Sequence, residues 1–203
     1  MGTAMVLVPI FFSILFLCGE NLKYIFFTFA AGICAMPVLW HVLKDYQKTR
    51  LMIFVNPNLD PLGAGYTILQ SKIAIGSGGL LGKGWLNGTQ GHLKFLPEKH
   101  TDFIFSGIGE EWGFLGALAI ISLYAIVIAR GLKIIYEIED THGRAIATGV
   151  IALISFQFSV NIAMTIGFMP VVGIPLPMIS YGGSNAIATL IGIGLLLSAS
   201  RRL

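Results

Sequence analysis

The chain has 203 residues, of which 55% are hydrophobic and 11% charged, and its mean hydropathy is +0.81. This excludes a soluble domain and indicates an all-α integral membrane protein: about 20 apolar residues cross the roughly 30 Å hydrocarbon layer, and there is room for about five such helices plus one long polar loop. The net charge of +3 sits in short clusters at the ends of apolar runs, which fits snorkelling and orientation and excludes nucleic acid as a partner.

The opening run, MGTAMVLVPIFFSILFLC, has no basic leader and no small-residue cleavage site. It is expected to be a retained helix over about 3–18 and not a removable signal. A polar turn leads into a second helix over about 24–43, with Pro37 as a kink and Trp40 and His41 near its exit. Cys18 and Cys34 lie inside these runs, where a thiol behaves as a small hydrophobe.

Residues 44–50 are polar, and 51–55 are too few to cross anything. NPNLDPLGAGY (56–66) holds two prolines and two glycines, which rule out a continuous helix. Residues 66–75 fit a short interfacial helix. GSGGLLGKG (76–84) and NGTQG (87–91) read as loops with backbone open to close approach. The stretch 44–102 is therefore expected as one long extracellular loop carrying short interfacial helices.

A third span is expected over about 103–130, with Glu110 and Glu111 at its start, where carboxylates suit the positive end of the helix dipole. A charged connector, 130–144, precedes a fourth helix over about 145–169. PVVGIPLPMISYGGS (170–184), with three prolines and three glycines, breaks the apolar pattern before a fifth helix over about 185–200. The basic residues Arg130, Lys133 and Arg144, and the terminal Arg201 and Arg202, favour one cytoplasmic side, which puts the C-terminus inside and the long loop outside. Lys44, Lys48 and Arg50 vote the other way.

Three motifs carry the chemistry. GSGGLLGKG suggests a phosphate loop, but the spacing fails: Ser77 stands where glycine is needed, and Gly84 where a hydroxyl should follow Lys83. A looser role survives, with Lys72 and Lys83 as point charges for a lipid-linked pyrophosphate, beside the plain reading of solvated lysines on a loop. Glu98, His100 and Asp102 alternate, so an extended segment would put them on one face for a hard cation or for acid/base work. The alternative is a polar cluster in which Thr101 or Asp102 caps the third helix, and the residues alone leave both open. The 170–184 segment reads either as a broken helix lining a cavity, with Ser180, Tyr181, Ser184 and Asn185 as its polar lining, or as a proline-rich hairpin. Gln157 and Asn161 are expected to bond neighbouring helices.

Taken together, GAGYTILQSKIAIGSGGLLGKGWLNGTQGHLKFLPEKHTDFIF, GEEWGFLG and PVVGIPLPMISYGGS resemble the SEDS family of bacterial cell-wall polymerases (shape, elongation, division and sporulation). The GKGWLNGTQ wording is more similar to the rod-shape branch than to the division branch. The resemblance covers essentially the whole chain. It implies a ten-helix, multi-pass enzyme of the bacterial cytoplasmic membrane that polymerises lipid II, with this chain as its C-terminal half. It also implies a class B penicillin-binding protein as transpeptidase partner and other elongation-complex membrane proteins.

Carried over by motif, the aspartate of HTDF is Asp102, implied to be the catalytic residue. Lys72, Lys83, Gln90, Glu98, Lys99, His100, Thr101, Glu111, Ser180, Tyr181 and Ser184 are the expected substrate shell. A divalent cation, Mg or Mn, is the one cofactor to consider, with its ligands unassigned. The competing functions are a lipid II transporter, built on the broken hairpin and a polar cavity, and a non-catalytic scaffold for the transpeptidase.

Overall fold

A computed structural model describes residues 2–17, 19, 22–56, 59–60, 63–89 and 101–200 of the chain. Among these residues all regular structure is helical: α1 (Gly2–Leu17), α2 (Leu22–Val42), α3 (Asp45–Val55), α4 (Ala64–Ser77), α5 (Ile104–Glu137), α6 (Thr141–Thr165) and α7 (Gly183–Ser200). Three of them, α5, α6 and α7, are long and apolar enough to cross a bilayer, and α1 and α2 contain shorter apolar helices, Ala4–Leu17 and Lys23–Ala35. The protein is an all-α, multi-pass membrane protein.

Helix α6 is the hub, packed against α1, α5 and α7, while α4 lies on α5 and reaches the end of α6. Lipid tails are as apolar as leucine, so membrane helices associate through close packing of small residues and not by excluding water. That is the arrangement here: Gly131 of α5 accommodates Ile151, and Gly192 of α7 faces Val150. The resulting core joins Tyr124, Ile135, Ala147, Ile151, Ile154, Leu176 and Leu196. Outward-facing Leu123, Ile126, Leu190 and Leu197 are exposed, as lipid-facing side chains should be.

Several expected boundaries move. The third span was expected to end near 130, but α5 continues through Arg130 to Glu137, with Lys133 and Glu137 pairing at 3.7 Å one turn apart. The connector shrinks accordingly, and Asp140 accepts a 2.7 Å hydrogen bond from the Gly143 backbone N–H to cap α6 four residues earlier than expected. Residues 45–55 form a helix despite the polar start, because Lys44 and Gln47 close its first turn reciprocally.

Candidate active site

Two breaks in helical structure shape the residues singled out by the sequence. The first lies inside α5 at Gly113 (φ 65, ψ −158). A break frees backbone groups that cannot be left unpaired in hydrocarbon. The glycine-rich loop after α4 takes four of them: Phe114 and Leu115 N–H donate to the Gly79 and Leu80 carbonyls at 2.9 and 3.2 Å, and Lys83 and Gly84 N–H donate to the Glu110 and Glu111 carbonyls at 3.0 Å. Such contact needs bare backbone on both sides. A Cβ at Gly82 (φ +80) would run into the Glu111 carbonyl, and one at Gly113 into the Gly82 and Leu80 backbone. Gly78 and Gly82 thus receive another helix of the same protein, which gives the 76–84 stretch a structural role.

This break also corrects the dipole argument for Glu110 and Glu111. They sit at the C-terminal end of the segment 104–112, where carboxylates are disfavoured. Glu110 is buried, and its Oε1 accepts from Lys83 Nζ (2.7 Å), Thr89 N (2.8 Å) and Thr89 Oγ1 (2.9 Å). Glu111 Oε2 accepts from Leu86 N at 3.3 Å. Lys83 is therefore paired with a buried carboxylate, and that cluster holds the loop to α5.

The second break is the segment 166–182 between α6 and α7. Asp102, half-buried, lies in the turn that precedes α5. The N-cap position of α5 is taken by Phe103, so neither Thr101 nor Asp102 occupies it. Phe103 anchors the turn by packing with Ala74 of α4 and Val171. Asp102 faces the second break directly, and a Cβ at Gly173 (φ +71) would lie 3.4 Å from its Oδ2. Ser180 Oγ donates to the Thr101 carbonyl at 2.6 Å while accepting from Leu176 N at 2.8 Å. Asn161 Nδ2 donates both to the Asp102 carbonyl (2.9 Å) and to the Ile174 carbonyl (2.8 Å).

Two cations join the same segment. Lys72, exposed on α4, lays its side chain across Gly167, next to the buried bond from Ser71 Oγ to the Thr165 carbonyl (2.7 Å). Arg50 Nη1 donates to the Val171 carbonyl at 3.2 Å. Asp102, Thr101, Ser180, Lys72 and Arg50 are thus strung along one non-helical stretch. Tyr181 and Ser184 are exposed at its end, whereas Lys83 and Glu111 belong to the break in α5. Gln90, Glu98, Lys99 and His100 lie outside the described residues.

Sequence reasoning missed Arg50, Glu110 and the part played by Asn161. Asn161 bonds two loop carbonyls and not a neighbouring helix, and Gln157 Oε1 has no hydrogen-bond partner among the described residues. Two amides four residues apart in an apolar helical run, Gln157 and Asn161, were the available signal. Among the described residues, no three His, Cys, Asp or Glu side chains gather to hold a metal ion.

Comparison with known proteins places this geometry. The family model described as cell cycle protein, FtsW/RodA/SpoVE, matches residues 1–203. The peptidoglycan glycosyltransferase MrdB of Escherichia coli K12 is 47% identical over 199 residues, covering 98% of this chain and 54% of the relative. The peptidoglycan glycosyltransferase RodA of Treponema pallidum is 50% identical over 161 residues, 79% of this chain and 37% of the relative. A chain in a solved peptidoglycan synthase complex, studied for the coordination of polymerization and crosslinking, superposes with a TM-score of 0.80 at 32% identity, covering 100% of this chain and 56% of its own. A mutant of the rod shape determining protein RodA from Thermus thermophilus gives a TM-score of 0.50 at 38% identity, over 60% of this chain and 38% of its own. This chain spans about half the length of the curated relatives it matches. With the fold, the motifs and the relatives in agreement, the chain belongs to the FtsW/RodA/SpoVE, or SEDS, family of cell cycle proteins.

Proposed function

We propose that the protein is a peptidoglycan glycosyltransferase that polymerises lipid II, with Asp102 as its general base. The observation that carries this reading is the placement of Asp102: its carboxylate faces Gly173 in the broken segment. The names of the relatives, peptidoglycan glycosyltransferases, supply the substrate class.

In this reading the Asp102 carboxylate takes the proton of the acceptor sugar's 4-hydroxyl as its oxygen attacks the anomeric carbon of the donor. The new O4–C1 bond forms as the bond from C1 to the pyrophosphate oxygen breaks, and its electron pair departs with undecaprenyl pyrophosphate. An α-linked donor giving a β-linked product needs one inversion, so a single displacement suffices and no covalent enzyme intermediate is required. General-base help of this kind supplies on the order of 10²- to 10⁴-fold in rate. Lys72 and Arg50, both in contact with the segment that Asp102 faces, are placed to meet charge on the leaving pyrophosphate. A divalent cation would share that task when bound; Glu98 and His100, the other side chains considered for it, lie outside the described residues. Lys83 is reassigned from the substrate shell to the hold on α5.

The same reading puts the protein in the bacterial cytoplasmic membrane with its C-terminus inside and Asp102 at the outer surface. A class B penicillin-binding protein is the transpeptidase partner in this reading, and the solved complex of polymerization and crosslinking that holds a similar chain supports a crosslinking partner. The test is glycan chain formation from purified lipid II by the full-length protein, with and without Asp102→Asn. Loss of polymer with retained lipid II binding is the expected result. Undiminished polymer from the mutant would remove Asp102 as the base and leave transport or scaffolding.

A further inference from the structure

We infer that Asn161 is a positioning residue for Asp102, fixing the backbone of the proposed base to the broken segment between α6 and α7. The inference rests on the glycosyltransfer reading and extends it to a side chain inside a membrane-spanning helix.

Three observations carry it. Asn161 is wholly buried, and its single amide nitrogen spends both protons on carbonyls from different parts of the chain, Asp102 at 2.9 Å and Ile174 at 2.8 Å. Neither carbonyl belongs to a helical ladder, so each needs an outside donor in a buried setting. Ile174 and Gly173 are adjacent, and Gly173 is the residue the Asp102 carboxylate faces. Asn161 therefore sets the distance between the base and the wall it acts against. Ser180, through the neighbouring Thr101 carbonyl, fixes the same turn from its other side. An amide is the side chain that can do this: aspartate at 161 would bring no N–H and a second negative charge, and serine would reach one carbonyl only.

A polar residue could sit in α6 purely to stabilise the fold, so the test needs a control with a comparable structural loss. Ser71 supplies one, because its hydroxyl makes a buried bond to the Thr165 carbonyl and is placed in no catalytic role. Asn161→Ala, Ser71→Ala and Asp102→Asn are made in the full-length protein, and kcat, KM for lipid II and thermal stability in detergent are measured for each. The expected result is a fall in kcat of about 10- to 100-fold for Asn161→Ala, with KM changed by less than about threefold, because a displacement of about 1 Å costs on that order. Ser71→Ala is expected to lose stability while keeping its kcat within about twofold.

Equal kcat losses in the two alanine variants at equal stability, or an unchanged kcat in Asn161→Ala, would overturn the positioning role. If Asn161→Ala does not fold, Asn161→Ser, which keeps one donor in the same space, is read in the same way: folded with reduced kcat supports the role, folded with full kcat ends it. Full polymerisation by Asp102→Asn would remove the base and this inference together. An inactive Asp102→Asn beside a fully active Asn161→Ala would remove the inference alone.

Discussion

Lys83 Nζ lies 2.7 Å from Glu110 Oε1, and the glutamate side chain of this pair is 1% exposed while the lysine side chain is 26% exposed. The pair joins the loop after α4 to the point where α5 breaks, with Thr89 adding two further donors to the same oxygen. Removing one member of a buried pair strands the other charge, which costs more than losing both. Lys83→Met is therefore expected to destabilise the protein by about 3 kcal/mol, and Lys83→Met with Glu110→Gln to recover most of that loss. Unfolding of the single and double variants in detergent measures it, and additive losses would refute the coupling.

The backbone clasp at the break makes its own prediction. Gly82→Ala and Gly113→Ala each force a Cβ into backbone at positive φ and are expected to cost about 2 kcal/mol or more. Gly107, also in α5, has open space around its Cβ position. Gly107→Ala should be neutral or stabilising by up to about 1 kcal/mol. Thermal unfolding of the three variants separates glycines needed for contact from one that is not.

At the second break, Gly173→Ala tests the wall facing Asp102. The substitution adds strain of about 1–2 kcal/mol at φ +71 and puts a methyl group against the carboxylate. Polymerisation of lipid II is expected to fall by on the order of tenfold or more, a loss larger than the fraction of protein unfolded accounts for. An active, merely less stable variant would show that the wall does not position the base.

The cations on this segment should act on the leaving group and not on the fold. Lys72 is exposed, so Lys72→Met is expected to change stability by less than about 0.5 kcal/mol. It should lower kcat/KM for lipid II on the order of tenfold, with Lys72→Arg retaining most of the activity and the remaining dependence weakened by salt. A methionine variant as active as the unsubstituted protein at low salt would exclude this role for Lys72.

What the sequence by itself determined was the membrane class and the identity and approximate extent of the apolar helices, while Asp102 was singled out by the family resemblance of its motif. These are readable because hydropathy adds up along the chain, so a run such as 145–169 declares itself without knowledge of its neighbours. The tertiary structure alone decided where α5 breaks, why Gly78 and Gly82 are needed, and which side chains hold the turn that carries Asp102. Glu110 finds Lys83 across 27 residues and Asn161 finds Asp102 across 59. Such pairings follow from which backbone and carboxylate groups a helix break leaves unsatisfied in an apolar surround, a quantity that exists only once the helices are packed.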